Sequence, residues 1–512
     1  MKTADTADEF LACAADFQLG GLDTEQAHPL TVQLSELCQK ELSRAVGVLK
    51  AVDEQALKEM ANKLDPAIQL VTEVTETWAK GGRVFLAGCG ATGRLSLSLE
   101  VFCREGLVPE ELQERVIGFM AGGDSALIRS IEGFEDFPEY GARQLRELGF
   151  GSKDLLMAST EGGETPWVIG ATEEAARISE RAPWFVYCNP DEVLCERVER
   201  SQRVIQSPTI KKWNLAVGPM AIAGSTRMQA STVLEYGIGL ALEVAAKGGD
   251  LSERLAAFRR SLAKVSWEFM SPFIEREARL YTQGDRVLYE TETFGVSVLT
   301  DTTERAPTFS LSIFESYEDG ETSEPLSLCY LRLPSAATVE SAWNRLLKRD
   351  PRCLEWPTDL PVTRREHLMR YDISAQAEGN RQRSCGQAGL HRFRIEETAG
   401  AITWSFGELE ATAIPAGIPM LERQILLKML LNAHSTLVMG RLGRYEGNLM
   451  TYVKPSNNKL IDRSIRYVQT LFRCSVGGEL DYTAVCEELF RQREQLAPDE
   501  PIVLKTLAAL RS

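Results

Sequence analysis

Between Val84 and Phe102 the chain reads VFLAGCGATGRLSLSLEVF: a short unbroken apolar run, a glycine-rich turn, then apolar positions at helical spacing. This order predicts strand, loop, helix. The unit recurs. VIGFMA at Val116–Ala121, the run from Leu155 to Ala158 and WFVYC at Trp184–Cys188 are each followed by turn residues and a helical stretch. Unbroken apolar runs suit strands buried on both faces, so the alternation predicts an α/β fold with a parallel sheet flanked by helices. Ligands in such sheets sit beyond the C-terminal ends of the strands. A long helical region from Leu251 to about Tyr281 leads into a second start, GDRVLYETETFGVSVLTDTTERAPTF. Strand candidates at Leu326–Leu333 and Ala401–Phe406 and an amphipathic helix, ERQILLKMLLNAHSTLVMGRLG, follow it. Pro351 to Arg394, rich in Arg, Gln and Pro, reads as an irregular excursion.

The two starts align as an internal repeat. Arg83 and Val84 pair with Arg286 and Val287; after a one-residue deletion in the loop, Gly93 pairs with Gly295, Leu97 with Leu299 and Phe102 with Glu304. A length of 512 residues also asks for two or three domains. Lys plus Arg number 57 against 73 Asp plus Glu, a formal net charge of −16. Such a surface repels phosphate polymers and anionic bilayers, which excludes broad nucleic-acid or membrane binding. The opening MKTADTADEF lacks the order of a secretory signal, and no apolar stretch reaches the length of a bilayer span. The 11 cysteines contain no CxxC pair and the four histidines are isolated, so a cytoplasmic protein with buried thiols, without metal or cofactor, is expected.

Chemistry concentrates at two glycine clusters. Gly88-Cys-Gly90-Ala91-Thr92-Gly93-Arg94 places three glycines where a strand meets a helix, so backbone amides and the positive helix end can cradle a phosphate. The spacing also satisfies G-x-G-x-x-G, but the next strand ends in Met120-Ala121-Gly122-Gly123 without the acid a dinucleotide ribose requires. The second cluster, Ser159-Thr160-Glu161-Gly162-Gly163-Glu164-Thr165-Pro166, again follows a strand and opens a helix, with Pro166 suited to the first turn. Its hydroxyls suit a phosphate; its two glutamates suit sugar hydroxyls or solvent.

GCGATGR, MAGGDSALIRSIEGFED, TPWVIGA, CNP, AVGPMAIAGSTRM and GRYEGNLMTYVKPSNNKL resemble, in order, the SIS (sugar isomerase) proteins of the glucokinase regulatory protein and N-acetylmuramic acid 6-phosphate etherase group. TEQAHPLT at Thr24–Thr31 looks like the arm that opens those proteins. The resemblance implies two tandem SIS domains, each a doubly wound, flavodoxin-like parallel sheet flanked by helices. The expected boundaries are residues 1–45 for an N-terminal arm, 46–250 and 251–475 for the domains, and 476–512 for a short helical segment in place of a lid. Residue by residue it implies a phosphosugar site of Gly88, Gly90, Ala91, Thr92, Gly93 and Arg94, with Glu135, Ser159, Thr160, Gly162, Gly163 and, from the second domain, Lys459. Glu135 matches an acid/base glutamate of the etherase that contacts sugar in the regulatory protein. A sugar kinase as partner is implied by the resemblance alone.

The departures decide the reading. The etherase carries a second catalytic glutamate on the helix after the phosphate loop, where this chain has Phe102, and a phenyl ring transfers no proton. Glu304 keeps the acid in the second copy, whose own loop, Thr291-Glu292-Thr293-Phe294, has lost the glycines. In the second cluster Gly162 and Glu164 replace a serine and, in etherases, an arginine. The expectation is a phosphosugar-binding protein in which the two domains pair internally and form one site. The alternatives are an etherase-like lyase that releases D-lactate using Glu135 with Glu304, and a ligandless relic, which the intact first loop argues against.

Overall fold

The computed structural model describes residues 4–17, 19–131, 133–356, 361–497 and 499–511. β1 (Val84–Gly88), β2 (Val116–Met120), β3 (Leu155–Thr160), β4 (Trp184–Tyr187) and β5 (Lys211–Asn214) form a sheet in the order β2-β1-β3-β4-β5. All its pairings are parallel, with Val84 opposite both Val116 and Leu155. β1 to β4 are buried along their whole length, as strands covered on both faces must be. β5 reads KKWN and buries only Trp213, which is why no apolar run announced it.

β6 (Arg286–Glu290), β7 (Cys329–Arg332), β8 (Leu390–Thr398), β9 (Ala401–Phe406) and β10 (Leu409–Ile414) form the second sheet, ordered β7-β6-β8-β9-β10. Counted from its own first strand, this is again 2-1-3-4-5. The sheet is mixed, however, and the expected all-parallel arrangement holds only for β7, β6 and β8. β9 and β10 run antiparallel to their neighbours. Only Ala399 and Gly400 separate β8 from β9, and only Gly407 and Glu408 separate β9 from β10. Two-residue connections close antiparallel hairpins and cannot make a parallel crossover. Ala399 and Gly400 both take positive φ, 50° and 79°, as a type I′ turn requires.

Three further expectations change. The helical region after Leu251 is two helices, Leu251–Lys264 and Met270–Thr282, interrupted at residues 265–269. The helix Met420–Arg441 is buried nearly all round instead of along one stripe, because it runs between the helices Gln229–Lys247, Met270–Thr282 and Gly295–Phe309. The excursion 351–394 contains the helices Arg365–Leu368 and Ala377–Cys385 and the start of β8.

A buried ion pair ties the first half to a charge cluster among the second half's helices. Arg227 of the GSTRM stretch meets Asp301 at 3.0 Å, and Arg305 meets Asp301 at 2.9 Å and Glu277 at 2.8 Å. Removing one partner from such a cluster strands a buried charge, so it fixes how the halves sit. The N-terminal stretch does similar work: Thr24 exchanges two hydrogen bonds with Asn189, while Glu25 pairs with Arg463 and Arg466. The chain closes with the helices Tyr482–Glu494 and Ile502–Ala509, both packed on the helix Asn458–Ser475. Among the described residues, no helix is long and apolar enough to cross a membrane.

Candidate functional site

The first glycine loop lies at the end of β1 and opens the helix Ala91–Phe102. Gly90 precedes the helix at φ 56°, a conformation a side chain at that position would strain. The Thr92 hydroxyl closes the turn: it accepts from the Cys89 amide at 3.0 Å and donates to the Cys89 carbonyl at 2.9 Å. Thr92 is therefore occupied by the loop itself, hydroxyl and amide alike, since its amide donates to the Cys89 carbonyl at 3.1 Å, and the remaining amides at the helix entrance are the donors left for an anion. The Cys89 thiol donates to Glu135 Oε2 at 3.2 Å, which brings the loop and the IEGFED glutamate together. Trp167, in the first turn of the helix Pro166–Ile178, donates its amide to the Glu135 carbonyl at 2.9 Å.

The second glycine loop, after β3, is tied down by internal bonds. Ser159 donates to the Ala87 carbonyl, the Thr160 and Thr165 hydroxyls meet at 3.0 Å, and Asn189 donates to the Gly162 carbonyl at 2.9 Å. Lys459 arrives here from nearly 300 residues downstream: its Nζ lies 2.8 Å from Glu164 Oε1. Asn457 caps the helix Asn458–Ser475 by accepting from the Leu460 amide, which fixes Lys459 in the first turn. A cation at a helix N-terminus opposes the helix dipole, and Glu164 compensates it. Arg200 also reaches Glu164, at 2.6 Å to Oε2 and 2.6 Å to the carbonyl. Burial resists ionisation of Glu164, but Lys459 and Arg200 overcome it and hold the carboxyl at about 2. A cavity of about 450 Å³ is lined by Glu135, Glu164, Thr165, Arg197, Arg200 and Lys459, among others.

Two acids here ionise less readily than usual. Burial raises Glu135 above the ordinary carboxylate range, with Lys459 and the Cys89 thiol pulling the other way. Glu161 is 7% exposed and its Oε1 meets no hydrogen-bond partner among the described residues. Burial, with the charge of Glu304, lifts it to about 7. Glu161, expected at sugar hydroxyls or solvent, is buried instead, while Arg200 and the anchoring role of Asn189 escaped the sequence reading. CNP marked Asn189 as part of a motif, whereas Arg200 sits in an ordinary charged helix, ERSQRVI, that carried no signal.

Arg94 does not line the cradle with its side chain. Its guanidinium is fully buried and meets Glu304 Oε1 at 2.6 Å, with further bonds to Thr303, Ser130 and the Leu127 carbonyl. Glu304 thus comes alongside the first half, and it lines a second cavity, about 210 Å³, with Gly224–Arg227 and Lys454. The stretch 455–460 runs between the cavities: Asn457, Asn458 and Lys459 face the larger, Ser456 and Leu460 the smaller. Phe102 is 1% exposed within the core. In the second half, Glu292 fills the matching loop and its carboxylate accepts from the Ser335 amide and hydroxyl and pairs with Arg345 at 2.9 Å.

Residues 67–175, which span β1 to β3 and both glycine loops, match the glucokinase regulatory protein N-terminal SIS domain. The N-acetylmuramic acid 6-phosphate etherase of Synechocystis sp. (strain ATCC 27184 / PCC 6803 / Kazusa) is 33% identical over 222 residues, 43% of this chain and 67% of the etherase. That of Synechococcus elongatus is 35% identical over 219 residues, 42% of this chain, which spans 64% of that relative's length. That of Trichodesmium erythraeum is 29% identical over 286 residues, 53% and 86% of the two chains. Among solved structures, the tagatose-6-phosphate ketose/aldose isomerase of Escherichia coli aligns over 78% of this chain and 94% of its own, at 12% identity and a TM-score of 0.42. The chain belongs to the SIS (sugar isomerase) family.

Proposed function

We propose that this protein binds a phosphosugar in one site, built from the two glycine loops and Glu135 of the first half and Lys459 of the second, in the manner of a glucokinase regulatory protein. The observation that carries the reading is Lys459 Nζ, 2.8 Å from Glu164 of the second glycine loop, in a cavity it shares with Glu135. In the bound state the first-turn amides after Gly90 and the Lys459 ammonium take the phosphate. Glu135, protonated more readily than a free acid, meets a sugar hydroxyl. The two halves act as related domains packed face to face, one holding the phosphate loop and the other supplying the lysine.

A second reading, an etherase-like lyase, draws on Glu304 standing beside the first half. Elimination of an ether needs a base for the C2 proton and a partner for the departing oxygen. Glu304 is committed to a fully buried guanidinium and Phe102 offers no proton, so binding without turnover is favoured. Calorimetry and thermal shift with a panel of ketose and amino-sugar phosphates, including fructose 6-phosphate, test the binding; no response to any of them overturns it. Release of D-lactate from N-acetylmuramic acid 6-phosphate, abolished by Glu135→Gln, would establish the lyase instead. A regulatory role further requires that a sugar kinase be captured in a manner that depends on the sugar phosphate.

A further inference from the structure

The Glu135 loop is held from outside its own half. Residues 133–137 form no helix or strand, and the segment Arg349–Trp356, which belongs to the second half, lies across them and the neighbouring AGGD turn. Arg349 reaches Asp124 at 2.5 and 3.3 Å and Glu100 at 3.0 Å. Arg352 donates its amide to Asp124 Oδ2 at 2.6 Å and accepts from the Asp124 amide at 3.0 Å. Beyond this latch, Leu354 and Trp356 enter the apolar cluster on one face of the first sheet, which also contains Phe134. The Trp356 indole stacks on Phe134, with centroids 5.5 Å apart and planes 23° apart, and meets the Tyr140 ring edge-on at 5.4 Å. The Arg143 guanidinium lies 4.0 Å from its ring centre, and Nε1 donates to Glu147 Oε2 at 2.6 Å. Phe134 is 1% exposed and directly precedes Glu135, whose carbonyl is fixed on the other side by the Trp167 amide.

We propose that Trp356 is a positioning residue: anchored by Arg349 and Arg352 on Asp124, it grips Phe134 and thereby sets where the Glu135 carboxyl stands in the cavity it shares with Lys459. Its effect on a ligand rests on the phosphosugar reading above; its effect on the loop does not. An aromatic side chain pinned on four sides has one orientation, so the loop it covers inherits that order. The affinity of the site would then depend on a residue outside the cavity.

The test uses the full chain and the variants Trp356→Ala, Trp356→Phe, Glu135→Gln and the double variant Trp356→Ala with Glu135→Gln. Hydrogen exchange without ligand should quicken in peptides covering residues 133–137 in Trp356→Ala, return toward wild type in Trp356→Phe, and leave β1 unchanged. Calorimetry with fructose 6-phosphate should show affinity falling about tenfold in Trp356→Ala, the scale of one aromatic contact, with no further loss when Glu135 is already Gln. Unchanged exchange at 133–137 overturns the proposal, as does the same loss of affinity with and without Glu135. If wild-type protein ignores both fructose 6-phosphate and N-acetylmuramic acid 6-phosphate, the phosphosugar reading falls, and the exchange result alone decides on Trp356.

Discussion

The loop after β1 and the loop after β6 occupy the same place in sheets of the same strand order, yet they are built to opposite ends. Both close through a threonine hydroxyl that accepts a main-chain amide: Cys89 to Thr92 at 3.0 Å, and Phe294 to Thr291 at 3.1 Å. The first bond reaches forward along the chain and the second backward, so each loop is closed by its own turn. In the first, glycine leaves the helix entrance bare for an anion. In the second, Phe294 is buried and Glu292 places a carboxylate of the chain itself there, held by Ser335 and Arg345. The acids trade the other way, since Glu304 stands on the second helix where the first carries Phe102. One scaffold leaves a glycine loop at the helix entrance of one half and, in the other, structural charge.

Arg94 and Glu304 tie those two helices together, so breaking their pair should give the largest effect. Arg94→Ala leaves Glu304 without its guanidinium in a site where Arg94 is fully buried and Glu304 nearly so. Urea unfolding should show about 3–5 kcal/mol lost, and Arg94→Ala with Glu304→Gln should recover much of it. Equal destabilisation in the single and double variants would mean that the pair does not join the halves.

Glu161 should come next. Its folded-state value of about 7 lies above the ordinary 4.5, so the folded chain holds the proton more tightly than the unfolded one between those pH values. Stability from this group is therefore present at low pH and lost as pH rises through that window, by up to about 1.4 kcal/mol for each unit. Glu161→Gln should raise the melting temperature more at pH 8 than at pH 5. Asp53, also pushed to about 7 by burial, acts in the same direction and serves as a comparison through Asp53→Asn. Parallel melting curves for wild type and Glu161→Gln across pH 5 to 8 would refute the assignment.

How legible this was depended on what each residue answers to. β1 to β4 were visible because strands buried on both faces must be apolar throughout, and the first loop because a helix entrance open to an anion needs glycine. β5 was hidden by two lysines at its half-buried positions; β9 was expected in a parallel sheet and β10 was not singled out, although IEETAGAITWSFGELEATAI alternates around two-residue turns. Lys459 was reachable only through its motif. The bond from Arg94 to Glu304 could not be read from either residue, since an arginine after a phosphate loop looks like a ligand contact until its partner from the other half is seen. Glu164 looked like damage to the second loop; in place, it anchors both Lys459 and Arg200.

Lys459 tests whether the open loop needs its cross-half cation. Lys459→Ala removes a charge-assisted contact worth about 1.5–3 kcal/mol, so affinity for a sugar phosphate should fall roughly ten- to hundredfold with little change in fold. Lys459→Met, which keeps the apolar stem, should lose as much, because the charge is the working part. Undiminished binding in both variants would assign the phosphate to the loop amides alone.

The smallest effect should come from the second loop. Glu292 is only partly buried, and its bonds to Ser335 and Arg345 lie near solvent, so Glu292→Ala should change stability by about 1 kcal/mol or less. Affinity for a sugar phosphate should stay within about twofold of wild type on the same ground, since a partly screened charge in the other half adds little at the first-half site. A second equivalent of sugar phosphate bound by Glu292→Ala in calorimetry would show that the carboxylate alone had kept that cradle shut. The comparison predicts a single equivalent, because Phe294 still stands buried at the helix entrance with no glycine before it.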